Sequence, residues 1–334
     1  MLYRTSIGLD VHARTVAAAA FVPETGEIVE KGFPYDPWAI AEWAKAQPQP
    51  ARCVYESGPT GFDLQRKLAA AGVECCVGAV SKMLRPSGDR VKTDKRDAVF
   101  LARMLAVGNV VEVAVPSEAL EAARDVSRAR EDCRHDLMRQ RHLLSKFLLR
   151  KGIAYGAGKS AWTKAHAAWL SSLEFADPCE RLVFDEYLEG VRSLELRRGR
   201  LDAAIERRAA EPDLAPVVSA LSCLRGVSTV TAFALAVEVG DFSRFPDARS
   251  FMSYVGLVPS ESSSGASVSR GGITRTGNGH ARRLLVEAAW HHARAYTPLS
   301  PTDLAAAAGM PAAVAEAAAR ANRRLHERWV YSLV

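Results

Sequence analysis

The sequence has no charge-free apolar run of about eighteen residues, so no segment reads as a helix able to span a bilayer. It also lacks the apolar core of a signal peptide: Met1-Leu2-Tyr3-Arg4 opens directly into a strand pattern. None of the six cysteines (Cys53, Cys75, Cys76, Cys133, Cys179 and Cys223) forms a C-x-x-C pair, which argues against zinc ribbons and thioredoxin-type redox motifs. Most of them have apolar neighbours and read as buried thiols in a reducing cytoplasm, the expected location. An excess of acid is absent too. The net charge is +6 and the pI about 9.0, which favours a polyanionic partner without identifying one. With 334 residues, 48% hydrophobic and 25% charged, the composition is that of a globular protein with room for two or three domains.

What is present centres on Val91-Lys92-Thr93-Asp94-Lys95-Arg96-Asp97-Ala98. Val99, Phe100, Leu101, Met104 and Leu105 follow at helical spacing, so Asp94 and Asp97 fall three apart on one face of a first helical turn. Alone, such a pair is most often a solvated cap favoured by the helix dipole. Here Lys92, Lys95 and Arg96 flank it, and Asp10 and Glu56 each end a predicted strand. Carboxylates converging in this way suit a hard divalent cation, Mg²⁺ or Mn²⁺, shared with phosphate oxygens.

The N-terminal third predicts strands over 3–9, 14–22 and 27–33, a helix over 37–46, and a strand over 52–56 ending at Glu56. A helix carrying Phe62, Leu64 and Leu68 and a strand over 73–80 follow. Three consecutive strands and then alternating helix and strand match a ribonuclease-H-like α/β layout, in which acids at the ends of central strands meet. Residues 81–90 read as a basic loop with Lys82, Arg85 and Arg90, suited to a phosphate backbone. From Ser117 the chain predicts two long helices, about 117–151 and 181–208. Their apolar residues lie near heptad spacing and the first is rich in arginine, as in an antiparallel coiled-coil arm; a less regular insert with Trp162 and Trp169 lies between. The prolines at 212 and 216 break the second helix. The stretch around Leu221 to Ala232 reads as a helix–hairpin–helix or an ordinary helix pair. Residues 256–278 read as a long Ser/Gly/Arg loop with Arg270 and Arg275, and Arg282 and Arg283 follow in the next helix; such loops are usually functional or disordered. An Ala-rich helix with Arg320, Arg323, Arg324 and Arg328 ends the chain.

Four pieces together resemble one family: Gly8-Leu9-Asp10; Tyr55-Glu56-Ser57-Gly58-Pro59-Thr60-Gly61; Lys92 to Ala98; and Gly256-Leu257-Val258-Pro259 through Ser264-Gly265 to Gly272-Ile273-Thr274-Arg275-Thr276-Gly277-Asn278. The family is that of the DEDD-type bacterial insertion-sequence transposases, the IS110 family, described as bridge-RNA-guided recombinases. The resemblance implies a RuvC-like domain over 1–115, a coiled-coil arm with an insert over 116–212, and a mainly helical transposase domain over 213–334. It implies that Asp10, Glu56, Asp94 and Asp97 are the four catalytic, metal-holding acids. It also implies a serine nucleophile directly before a glycine, which selects Ser264; Ser263 is the neighbouring alternative because residues 262–264 are all serine. Lys82, Arg85, Arg90, Lys92, Arg270, Arg275, Arg282 and Arg283 are the expected nucleic-acid contacts. The implied partners are donor and target DNA, a non-coding guide RNA, and further copies of the chain in a dimer or tetramer, with a site composed between protomers. A metal-dependent RuvC-like nuclease needs only the acids and is the alternative enzyme. A non-catalytic nucleic-acid-binding protein would explain the charge but not the four acids.

Overall fold

The computed structural model describes residues 3–79, 93–156, 159–264, 267–295 and 309–331, in two compact units, Met1–Pro116 and Ser117–Val334. Lys82, Arg85, Arg90 and Lys92 lie outside the described residues. No helix among the described residues is long and apolar enough to cross a membrane.

The first unit runs β1 (Thr5–Val11), β2 (Thr15–Val22), β3 (Glu27–Pro34), α1 (Pro37–Lys45), β4 (Ala51–Glu56), α2 (Asp63–Ala70), β5 (Cys75–Gly78) and α3 (Asp94–Ala106). The sheet order is β3-β2-β1-β4-β5. The first three strands are antiparallel, and β4 and β5 add in parallel to β1. Strand alternation sorts the two faces. Ile7, Leu9, Cys53 and Tyr55 pack with Ile40 and Ala41 of α1 and with Leu64 and Leu68 of α2. On the other face, Val54 of β4 and Cys76 of β5 pack against Leu101 of α3.

Gly8 decides how close α3 comes to β1. A β-carbon there would lie 2.0 Å from the Ala98 carbonyl oxygen and 2.6 Å from the Ala102 amide nitrogen. Any other residue at this position collides with helix backbone, which cannot step aside as a flexible side chain does. Thr93 starts the helix: its Oγ1 accepts from the Arg96 amide at 3.4 Å, and Asp94 and Asp97 occupy the first turn.

The second unit contains α4 (Glu118–Arg150), α5 (Lys164–Ser171), α6 (Pro178–Ala209), α7 (Ala215–Ser222), α8 (Thr229–Val239), α9 (Ala248–Tyr254), β6 (Pro259–Ser264), β7 (Ser267–Ile273), α10 (Gly279–Trp290) and α11 (Ala312–Tyr331). The long helices α4 and α6 pack on each other. Leu137, Leu144 and Phe147 of α4 meet Phe184, Leu188 and Val191 of α6 in one core. Further along the pair, Ala123 and Ile205 join Val218 of α7 and Phe233 and Val237 of α8 in another. Ion pairs link the two helices: Arg130 to Asp202 at 2.8 Å and Arg141 to Glu195 at 2.6 Å. Part of the arginine content of α4 therefore holds the helix pair together. In the insert, Tyr155, Trp162 and Trp169 pack their rings around the buried His166.

Residues 256–278 are not the long loop that their composition suggests. Strands β6 and β7 form an antiparallel hairpin, with Glu261 opposite Arg270, Ser262 opposite Ser269 and Ser264 opposite Ser267. The hairpin was illegible because every residue of β7 is exposed, so no apolar face imposes an alternation that a reader could detect.

Substituting Gly8 by Ala is expected to lower the unfolding free energy by roughly 1–3 kcal/mol, as overpacked sites do. Urea denaturation of the full chain checks this, and Gly32→Ala, where a β-carbon meets nothing within 4 Å, is the control.

Candidate active site

The alternation that sends Ile7 and Leu9 into the core turns Gly8 and Asp10 toward the face covered by α3. Strand β4 does the same: Cys53 and Tyr55 face the core, whereas Val54, and by the same alternation Glu56, face the other way. The strands run parallel with Leu9 beside Tyr55, so Asp10 and Glu56 are the next residues on neighbouring strands. The close seat of α3 on Gly8 brings the start of that helix over this sheet edge.

The geometry gathers three groups tightly. One oxygen of Asp10, one of Asp94 and a ring nitrogen of His12 all lie within 4.8 Å of one another. His12 Nε2 is 3.2 Å from Asp10 Oδ2 and 3.6 Å from Asp94 Oδ2. Burial pushes the Asp10 carboxyl above its ordinary pKa, His12 opposes this, and the charges of Asp94 and Asp97 push it further up. Asp97 therefore feels the same cluster, and Glu56 ends the adjacent strand.

No sequence motif singles out His12. The signal was available, because residues 8, 10 and 12 alternate onto one face if the strand direction persists past Val11. The imidazole lies between the two carboxylates, in the place where a cation would sit. The donor set fits a divalent ion: carboxylate oxygens are hard ligands, with an imidazole nitrogen alongside them.

In the second unit the predicted arginines have separate uses. Arg270 lies 3.4 Å from Glu261 on the partner strand. Arg275 is exposed, with a left-handed backbone at φ 55°. Arg282 Nη1 donates to the carbonyl oxygens of Val255 at 2.8 Å and Thr276 at 3.0 Å, and so ties the two legs of the hairpin. Arg283 pairs with Glu287 at 2.7 Å and with Glu131 of α4 at 2.9 Å. Ser264 is the last residue of β6, at the far end of the hairpin from these anchors, and Ser263 pairs with Val268. A second residue not singled out from sequence is Glu238 of α8, which is buried beside Arg128, Asn278 and His280.

Comparison with known proteins matches the chain in two blocks. A family model described as "Transposase", of the DEDD type, covers residues 7–152. A second, described as "Transposase IS116/IS110/IS902 family", covers residues 218–305. The chain is 40% identical over 276 residues to a putative transposase of Sinorhizobium fredii, covering 82% of this chain and 67% of that one. It is 33% identical over 341 residues to the transposase for insertion sequence element IS1533 of Leptospira borgpetersenii, covering 98% of this chain and 96% of that one.

The raised pKa of Asp10 fixes the sign of a stability effect. The folded state binds the Asp10 proton more tightly than the unfolded chain, so without a divalent ion the contribution is most favourable at low pH. It is lost as pH rises from the ordinary carboxylate pKa through the raised one. Asp10→Asn, which cannot ionise, is therefore expected to raise the melting temperature at pH 7 in metal-free buffer. The variant should also lose most of the further rise that Mg²⁺ gives the parent, as thermal unfolding with and without Mg²⁺ will show.

Proposed function

The chain belongs to the IS116/IS110/IS902 family of insertion-sequence transposases, and from that premise we propose that it cuts and rejoins DNA with two cooperating groups. One is the acid cluster of a RuvC-like N-terminal unit; the other is a serine on the β6–β7 hairpin. The observation that carries the first half is the meeting of Asp10 and Asp94 at one sheet edge, with Asp97 in the same first helical turn and Glu56 ending the next strand.

Asp10, Glu56, Asp94 and Asp97 are the residues that would hold Mg²⁺ or Mn²⁺, with His12 beside them. Such an ion supplies Lewis-acid stabilisation of charge on a phosphate and eases loss of a hydroxyl proton. In this reading His12 holds Asp10 and Asp94 together through its contacts with both, and it would be available as a further ligand beside the acids.

Ser264 is the proposed nucleophile, with Ser263 as the neighbouring alternative. Its Oγ forms a bond to a backbone phosphorus, one P–O ester bond breaks, and the departing sugar oxygen takes up a proton. The phosphodiester energy stays in the serine–DNA link, so a second strand end can reverse the step without ATP. A serine hydroxyl is a weak nucleophile without a base or strong transition-state stabilisation. The acid cluster is the source of that help in this reading, contributed by the same or a neighbouring protomer of a dimer or tetramer. Exposed arginines such as Arg275 would face phosphate, and binding to nucleic acid should weaken steeply with salt.

A non-coding guide RNA, pairing with donor and target, is the proposed source of sequence choice. The family relationship and the net charge of +6 support it. One structured RNA dominating the nucleic acid that co-purifies with the full-length protein is the expected finding. Recombination at full rate after complete RNA removal would contradict it.

Trapping on labelled DNA, followed by digestion and mass spectrometry, tests the serine. A phosphodiester adduct is expected on the peptide holding Ser264. Ser264→Ala should reduce recombination on the order of a thousandfold or more, as loss of a nucleophile does. An adduct on Ser263 would move the assignment by one residue, and no adduct between Ser260 and Ser269 in active protein would end it.

A further inference from the structure

Among the described residues, Glu238 is the one carboxylate counted with the buried core, with its side chain 1% exposed. It sits in the last turn of α8 and receives donors from two other elements. Arg128 of α4 grips it with both sides of its guanidinium, Nε to Oε1 at 2.8 Å and Nη2 to Oε2 at 3.2 Å. Asn278 Nδ2 donates to Oε2 at 2.7 Å, and His280 Nδ1 lies 3.5 Å from Oε1. Asn278 caps α10 through its Oδ1, which accepts from the Ala281 amide at 2.9 Å. Burial pushes the Glu238 carboxyl up, but the bonds from His280, Arg128 and Asn278 outweigh this and hold it well below the usual carboxylate range. It is an ionised group in the interior.

Both legs of the serine hairpin are rooted here. The leg after β7 ends at Asn278, which bonds the Glu238 carboxylate directly. The leg before β6 begins at Tyr254, whose hydroxyl donates to the Glu238 backbone oxygen at 3.2 Å. The legs also hold each other: the Asn278 amide donates to the Tyr254 oxygen at 3.3 Å, and Arg282 bridges Val255 and Thr276. The fit at the root leaves no slack, since a β-carbon on Gly277 would lie 1.9 Å from the Tyr254 oxygen. On the opposite side, Arg124 of α4 donates to the Val237 oxygen at 2.9 Å, a second link from α4 to the end of α8.

Stability alone is a poor reason for such a group. Only the carboxylate is buried, the Arg128 side chain being 55% exposed, and taking a charge out of water costs stability that a partner offsets only in part. What several directed hydrogen bonds supply is orientation. We propose that Glu238 is a positioning residue: it locks the root of the β6–β7 hairpin to α4, so that the hairpin tip meets a DNA phosphate at one fixed angle. The proposal rests on the reading of that hairpin as carrier of the nucleophile.

The test measures hairpin position separately from chemistry. Spin labels are attached to Ser262→Cys on β6 and Asp136→Cys on α4 of the full chain, with the exposed Cys179 replaced by Ser. The distance distribution is expected to be narrow in the parent and broadened or shifted in Glu238→Gln. In the unlabelled protein, Glu238→Gln should slow covalent capture of labelled DNA on the order of a hundredfold, the scale of a small misplacement of a reacting group. KM for DNA should stay within about twofold. Arg128→Lys keeps the charge but not the two-pronged grip and should shift both readouts less in the same direction, which keeps the test decisive if Glu238→Gln does not fold. An unchanged distance distribution in a folded variant would overturn the proposal. So would a capture rate that falls only with the folded fraction. If the distances shift as expected but the parent forms no serine adduct, the anchoring is upheld and the nucleophile reading alone falls.

Discussion

The contact between Gly8 and the backbone of α3 is the constraint on which the first unit depends. It joins a strand to a helix without an intervening side chain, at a separation no other residue permits. Because Asp10 lies two residues further along β1, and Asp94 and Asp97 lie in the first turn of α3, this one approach sets the spacing of the acids. The sheet register then adds Glu56, one step past the pairing of Leu9 with Tyr55. Like charges brought together in this way repel. Burial, and after it the charges of Asp94 and Asp97, raise the Asp10 pKa, and His12 offsets part of that rise. A site assembled against its own electrostatics is one that gains when a cation arrives.

In the second unit the excess charge is positive, and part of it is paired within the unit. Arg128, Arg130, Arg141, Arg282 and Arg283 are taken up by carboxylates or backbone carbonyls of the same unit. Arginine suits this use because its planar fork meets two acceptors at once while its stem covers apolar surface. The net charge of the chain is therefore a poor guide to which basic residues are open to a ligand. Arg275, just after β7, and Arg323 and Arg324 on α11 are among the exposed basic positions.

Where the sequence was legible, a period could be seen. The strands over 5–11, 15–22 and 51–56 carry apolar runs and the helix after Thr93 an apolar face, with Asp10 and Glu56 at or near the ends of two of the strands and Asp94 and Asp97 in the first turn of the helix. The β6–β7 hairpin was hidden for lack of such a face. His12 was harder to see because its alternation with Gly8 and Asp10 shows only if the strand direction is carried past Val11; the fold brings it between Asp10 and Asp94. Glu238 was hidden inside an apolar helix, Thr229–Val239, where its partners come from residues far away in the chain. Polar residues that act through distant partners carry no local signature, whereas apolar periodicity does.

Metal-directed cleavage of the polypeptide probes the central claim most directly. Fe²⁺ replaces Mg²⁺ in the full-length protein, ascorbate and peroxide generate hydroxyl radicals at the bound ion, and the breaks are mapped by mass spectrometry. Cuts beside residues 10–12, 56 and 94–97, suppressed by excess Mg²⁺ and lost in Asp10→Asn, are the predicted result. Cuts confined to other segments, or an unchanged pattern in Asp10→Asn, would contradict an ion held at the edge where β1, β4 and α3 meet.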